Sequence, residues 1–339
     1  MKRLVLRSVL LLLALAVFAL GAAYEFAHRP LTLKGEVVDF TVQRGLSMRQ
    51  AAAVIARAGV EVNPVWLSWL ARIGGRANTI KAGSYEVHAG ITPWQLVLKL
   101  SDGDVSQAEV LLVEGWTFRQ VRNTLERHAE LEPDTAGLSD AEILALIGAS
   151  ETQAEGLFFP DTYLFDKRSP VSGVLRRAYH AMQARLDQAW AERDPDSPLQ
   201  SPYQALILAS IVEKETGRAE DRALVASVFA NRLRIGMPLQ TDPTVIYGLG
   251  ADFDGRLRRK HLDTDHPWNT YTRGGLPPTP IAMPGPDALR AALKPAHSDY
   301  LYFVARGDGS SEFSRSLSEH NQAVNRFIRN GGKPNGGKP

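Results

Sequence analysis

The spacing of apolar and polar residues divides this chain into segments of distinct period. Residues 8–24 carry no charge and are dominated by leucine, alanine, valine and phenylalanine. With Leu4, Val5 and Leu6 they reach the roughly 20 residues that span hydrocarbon as a helix. The stretch VDFTVQ at 38–43 alternates with the period of a strand, and Arg44 and Gly45 read as a turn. Ser47 is then placed to cap a helix carrying Met48, Ala52, Ile55 and Ala56. A helix over 65–73, the strand-like GSYEV at 83–87 and a helix over 92–100 complete a small unit. Beyond it the pattern predicts an amphipathic helix over 116–126, with Thr117 near its start, and another over 174–190. A surface connection rich in Asp, Pro and Ser at 193–201 leads into an almost wholly apolar helix over 203–212. Leu224, Val225, Val228, Phe229 and Leu233 follow helical spacing up to Gly236, and 300–304 reads as a short strand. Helices alternating with short strands predict an α+β architecture.

Charge and composition narrow the function. Lys2, Arg3 and Arg7 flank the apolar N-terminal run, which predicts a cytoplasmic N-terminus, a single membrane pass and an exported body. A cleaved signal peptide is the alternative, because Ala19, Gly21, Ala22 and Ala23 loosely satisfy a processing site. Setting those three basic residues aside leaves 36 of the 39 cations against 37 anions, so the body is nearly neutral and gives no support for nucleic-acid binding. With 339 residues, 44% of them apolar, the chain can bury a sizeable core and is expected to hold two domains beyond any anchor. It has no cysteine, which excludes disulfides, thiolate metal sites, a cysteine nucleophile and a lipidated N-terminal cysteine. A P-loop, a dinucleotide fingerprint, a GxSxG elbow and an HExxH zinc motif are likewise missing from the sequence, so no cofactor and no metal are expected.

The chemistry centres on 206–216, LILASIVEKET, where an apolar helix ends on two carboxylates. Desolvation disfavours the ionised form of a carboxylic acid and raises its pKa, the property that general-acid cleavage of a glycosidic bond requires. Glu215 has Arg218 at helical spacing and is expected to stay ionised, whereas Glu213 has no cation at those spacings and is the candidate acid. Positions two apart point to nearly opposite sides of a helix, so the pair is not expected to share one cleft. Gln240 and Asp242 lie on an extended or turning segment before Pro243, suited to sugar hydroxyls, although Asp242 also reads as a cap of the next helix. Tyr247, Trp268 and Tyr271 offer faces for pyranose stacking or for core packing, and Asn269 either contacts an N-acetyl group or stabilises its loop. Glu319, His320 and Asn321 are expected to hold the C-terminal segment by hydrogen bonds. Arg256, Arg258, Arg259, Lys260 and His261 form a solvated face, or else attract carboxylates of a partner molecule.

These motifs occur together in a recognisable order. ASIVEKET at 209–216, SVFANRLRIGMPLQTDPTVIYG at 227–248, NTY at 269–271, GLPP at 275–278 and EHN at 319–321 closely resemble the endolytic murein transglycosylase family. VEGWTFRQV at 113–121 and EGLFFPDTY at 155–163 extend the likeness. The resemblance implies a membrane-anchored enzyme, and the residue pattern divides the chain into an anchor at 1–29, a small α/β module at 30–104 whose beginning looks like a LysM-type module, a larger mixed α+β catalytic domain at 105–330 and a flexible tail at 331–339. The module either binds glycan or acts as a spacer.

The same resemblance carries the catalytic role onto Glu213 and makes Gln240, Asp242, Tyr247, Asn269 and Tyr271 substrate-binding candidates. It implies endolytic, lytic cleavage of the β-1,4 bond between N-acetylmuramic acid and N-acetylglucosamine in nascent peptidoglycan at the inner membrane, leaving 1,6-anhydromuramic ends. Peptidoglycan synthases of elongation or division are the implied partners. A hydrolytic muramidase and a non-catalytic cell-wall scaffold are the alternatives. Thr279, Met283, Glu312 and Ser316 depart from the family's usual residues, and these departures bear on substrate contacts rather than on the acid.

Overall fold

The computed structural model describes residues 2–329, so the expected tail at 331–339 lies outside the described residues. The chain forms two compact units. One holds the chain up to Glu109 together with Leu164–Ser169, and the other holds Val110–Tyr163 and the chain from Pro170 onward. The secondary structure is mixed α+β.

In the first unit, α1 (Lys2–His28) contains the apolar run from Leu10 to His28, with mean hydropathy 2.1, long and apolar enough to cross a membrane by length and composition. Next come β1 (Val37–Val42), α2 (Met48–Ala58), α3 (Pro64–Ile73), β2 (Gly83–His88) and α4 (Pro93–Asp102). The alternation read at 38–43 appears as alternate buried positions in β1, which pairs antiparallel with β2 and sets Phe40 opposite Tyr85. Ser47 and Thr92 cap α2 and α4 through reciprocal capping boxes, and Asn63 caps α3. Val38, Phe40, Ile55, Leu67, Tyr85 and Leu100 meet in one core.

A reading along the chain assigns 164–169 to the catalytic region, but this hexapeptide belongs to the first unit. Lys167 is held there by Glu86 at 2.7 Å and Asp39 at 3.4 Å, and its carbonyl accepts from the Ser84 hydroxyl. Contacts of such sequence separation leave no local signal.

The remaining elements are β3 (Gln107–Leu111), α5 (Phe118–Glu126), β4 (Leu131–Glu132), α6 (Asp140–Ile147), β5 (Thr162–Asp166), β6 (Ser169–Pro170) and α7 (Val171–Ala191). Then follow α8 (Pro202–Glu215), α9 (Ala219–Arg234), α10 (Asp242–Leu249), α11 (Arg259–Asp263), α12 (Pro286–Leu293), β7 (Tyr302–Ala305), β8 (Ser311–Ser314) and α13 (Leu317–Val324). The second unit is built around α8, which packs against α7, α9, α10 and α12. All eight residues from Ala205 to Val212 are buried, as expected of a helix that is apolar on every face.

Candidate active site

Helix α8 delivers two carboxyl groups from its last turn. Its start is set by Ser201, whose hydroxyl accepts from the Gln204 amide at 3.2 Å, and by Pro202 in the first turn. It stops at Glu215 because Thr216 is extended. A helix C-terminus is the negative end of the macrodipole, so it offers no stabilisation to a carboxylate.

Glu213 is half-buried, and its Oε2 accepts from the Gly285 amide at 3.0 Å. Burial raises its pKa above the usual carboxylate range. The Gly285 bond opposes the rise, the Glu114 charge adds to it, and Arg222 and Lys214 lower it. Two loops shape its surroundings. The Gly115 amide donates to the Met283 carbonyl at 2.8 Å, and the Met283 amide donates to the Trp116 carbonyl at 2.7 Å. Lys214 Nζ donates to the Gly115 carbonyl at 3.2 Å. A methyl group on Gly285 would lie 2.3 Å from a Glu114 carboxylate oxygen, so the Glu114 carboxyl rests directly over Gly285. Glu213 therefore stands, with its pKa raised, between the 114–116 and 283–285 loops. Three cavities of about 350 to 490 Å³ are lined by other residues.

The expectation for Glu215 is corrected. Arg218 pairs instead with Glu220 at 3.3 Å. Glu215 turns inward and accepts from the Thr241 hydroxyl, and burial together with the Asp242 charge pushes its pKa up to about 6 against the pull of Thr241 and Arg232. The two glutamates do diverge, with Glu213 toward Gly285 and Glu215 toward Thr241.

The Gln240–Asp242 segment is held rigidly. Gln240 is exposed and adopts φ 48°, a left-handed conformation that costs a non-glycine residue about 1 kcal/mol. Its amide donates to the Thr270 carbonyl at 3.1 Å, and the Thr241 amide donates to the Thr270 hydroxyl at 3.1 Å. Asp242 is exposed and sits inside the first turn of α10; Thr241 holds the capping position without a side-chain bond. The Asp242 carboxylate instead accepts from the Tyr271 hydroxyl at 2.6 Å. Tyr247 is half-buried, its ring 5.6 Å from that of Trp268 at a 60° tilt.

Of the two places open to Asn269, the structure shows the loop-stabilising one. It is fully buried, its Nδ2 donates to the carbonyls of His261, Leu262 and Thr264 at 3.3, 3.0 and 2.7 Å, and its Oδ1 accepts from the Tyr271 amide at 2.9 Å. With no surface and its polar atoms engaged, it holds the loop that carries Tyr271. His320 differs from expectation: its ring stacks on Tyr302 at 5.3 Å while Nδ1 is buried without a hydrogen-bond partner. In the basic cluster, Arg258 and Arg259 are exposed and pair with Asp254 and Asp263.

One carboxyl group escaped the sequence reading. Glu155 is 8% exposed, and burial pushes its pKa up to about 7 in spite of hydrogen bonds from the Phe118 amide at 2.9 Å and the Tyr247 hydroxyl at 3.1 Å. The available signal was a single glutamate leading into the apolar run 157–160.

The α+β second unit thus presents two carboxyl groups of raised pKa from the end of one buried helix, one against Gly285 and the other against Thr241. The comparisons give the family: residues 40–326 match the YceG-like family, and the chain belongs to it. It is 29% identical over 309 residues to the endolytic murein transglycosylase of Bacillus subtilis (strain 168), covering 86% of this chain and 85% of that one. It is 25% identical over 323 residues to the protein of that name from Streptococcus pneumoniae (strain D39), covering 85% of this chain and 58% of the longer relative. A crystal structure of a YceG-like protein from Listeria monocytogenes is similar, with a TM-score of 0.54, 29% identity and coverage of 85% of this chain and 98% of that one.

Proposed function

We propose that this protein is a lytic transglycosylase that cuts within peptidoglycan strands at the β-1,4 bond between N-acetylmuramic acid and N-acetylglucosamine, with Glu213 as its catalytic residue. The observation that carries the reading is the Glu213 carboxyl, whose pKa is raised by burial at the end of α8 while Gly285 fixes one of its oxygens. The relatives named endolytic murein transglycosylase support the substrate class.

Protonated Glu213 donates its proton to the glycosidic oxygen as the C1–O bond breaks, and N-acetylglucosamine leaves as an alcohol. The C6 hydroxyl of the muramyl residue then attacks C1 and returns its proton to the Glu213 carboxylate. The acid is regenerated, a 1,6-anhydro ring forms and no water is consumed. One carboxyl group suffices because the substrate supplies its own nucleophile, whereas most hydrolases require a second carboxylate. Gln240, Asp242, Tyr247 and Tyr271 contact the glycan, and Asn269 acts through the Tyr271 loop. Helix α1 serves as a membrane anchor with the body exported, and the strand–helix–helix–strand order of the first unit supports a LysM-like glycan-binding role. Ending nascent strands in this way places the enzyme beside the synthases that extend them.

The test is digestion of uncrosslinked glycan by the full chain in detergent, compared with Glu213→Gln, with products weighed by mass spectrometry. The wild type is expected to release anhydro ends and the variant to retain its melting temperature but release none. Reducing ends, one water heavier, would make the protein a hydrolase, and strands bound but left intact would make it a scaffold.

A further inference from the structure

Glu155 is a buried carboxyl with no ion-pair partner at 4 Å or less among the described residues. Burying an ionisable group without a counter-charge is unfavourable, and an apolar side chain of similar size would serve packing better. What the carboxyl supplies is a pair of acceptors. Oε1 takes the amide of Phe118, the first residue of α5, and Oε2 takes the hydroxyl of Tyr247 on α10. Trp116, two residues before Phe118, belongs to the loop bonded to Met283, and Gly115 in that loop abuts Glu213.

The Tyr247 end leads to a second ring. The Trp268 indole donates to the Thr279 hydroxyl at 2.9 Å, that hydroxyl donates to the Pro280 carbonyl at 2.8 Å, and the Trp268 ring packs against that of Tyr247. Glu155 thus anchors the Tyr247 hydroxyl, and Trp268 packs on the Tyr247 ring while its indole is tied to Thr279. These two aromatic residues, with faces suited to a pyranose, lie at a fixed 5.6 Å and 60°. The backbone beside Glu155 is closely packed, since a methyl group on Gly156 would come within 2.4 Å of Pro280.

We propose that Glu155 is a positioning residue that holds the Tyr247–Trp268 pair in register with the 114–116 loop as a wall of the glycan site. The proposal rests on the transglycosylase reading above, and it concerns substrate seating rather than proton transfer. Leucine at 155 keeps the approximate shape and loses both acceptors. Glutamine keeps an acceptor for the Phe118 amide and can donate to the Tyr247 oxygen.

The experiment is steady-state cleavage of uncrosslinked glycan by full-length wild type, Glu155→Leu, Glu155→Gln, Tyr247→Phe and the Leu/Phe double variant, with anhydro ends counted. Glu155→Leu and Tyr247→Phe are each expected to raise KM by about tenfold, the scale of a lost hydrogen bond to a charged group, with kcat within about threefold. Glu155→Gln is expected to restore KM, and the double variant to be no worse than the more affected single variant. An unchanged KM in Glu155→Leu, a loss confined to kcat or stability, or multiplying effects in the double variant would each overturn the proposal. Should Glu155→Leu not fold, Tyr247→Phe probes the bond from its other end, and an unchanged KM there is equally fatal. A wild type that yields no anhydro ends defeats the transglycosylase reading instead, so the two failures are distinguishable.

Discussion

Substituting alanine for Gly156 tests whether the Glu155 loop is wedged against the loop that leads to Gly285. Gly156 has φ 80°, and a Cβ built on it would sit 2.4 Å from the Pro280 Cβ and 2.6 Å from its Cγ. Pro280 is buried and its ring cannot swing aside, so the backbone must yield. Gly148, the C-cap of α6, has the same φ of 80° with nothing within 4 Å of an added Cβ, and therefore serves as the control. Both substitutions incur the left-handed backbone cost of about 1 kcal/mol. Overpacking adds about 1–3 kcal/mol at Gly156 alone. At roughly 3 °C per kcal/mol for a domain of this size, Gly148→Ala should lower the melting temperature by about 3 °C and Gly156→Ala by about 9 °C. Thermal melts followed by far-ultraviolet circular dichroism measure both. The Ile281 amide is bonded to Ser210 on α8 and Met283 to the 115–116 loop, so Gly156→Ala should also reduce glycan cleavage. Equal melting temperatures for the two variants would refute the wedge.

Asn269→Ala leaves three carbonyls and one amide without their buried partner, and should cost about 3 kcal/mol of stability in a chemical denaturation experiment. Weakened glycan binding at full stability would instead mean that Asn269 touches substrate. For Glu155 the pKa rises from 4.5 to about 7 on folding, so the folded state binds the proton more tightly than the unfolded chain. Stability from this group is complete below about 4.5 and declines by about 3 kcal/mol as pH climbs to about 7. Denaturation of wild type and Glu155→Gln across that window should show the slope in the wild type and its removal in the variant.

Local signals settled the elements. Ser47, Thr92 and Thr117 each sit at a helix start and complete a capping box with a glutamine three residues on, so the boundaries of α2, α4 and α5 follow from neighbours in the chain. The departure from expectation at Glu215 and the open choice at Asn269 have a common origin. Glu215 has Arg218 within its own helical spacing, yet its partner Thr241 lies 26 residues away, and the four bonds of Asn269 depend on how a loop closes on itself. Sequence spacing reports side chains that share a helix face; it carries no record of a hydroxyl brought in by another segment.

The chain by itself determined that α8 would be buried, because a helix apolar on every face has no stable position except inside, and that its carboxyls would emerge at one end. Tertiary structure decided what those carboxyls meet. Gly285 faces Glu213, Thr241 takes Glu215, and Tyr247 reaches Glu155 across 92 residues. Acidity is set by desolvation and by the particular donors within hydrogen-bonding reach, and both come into being only when distant segments pack together.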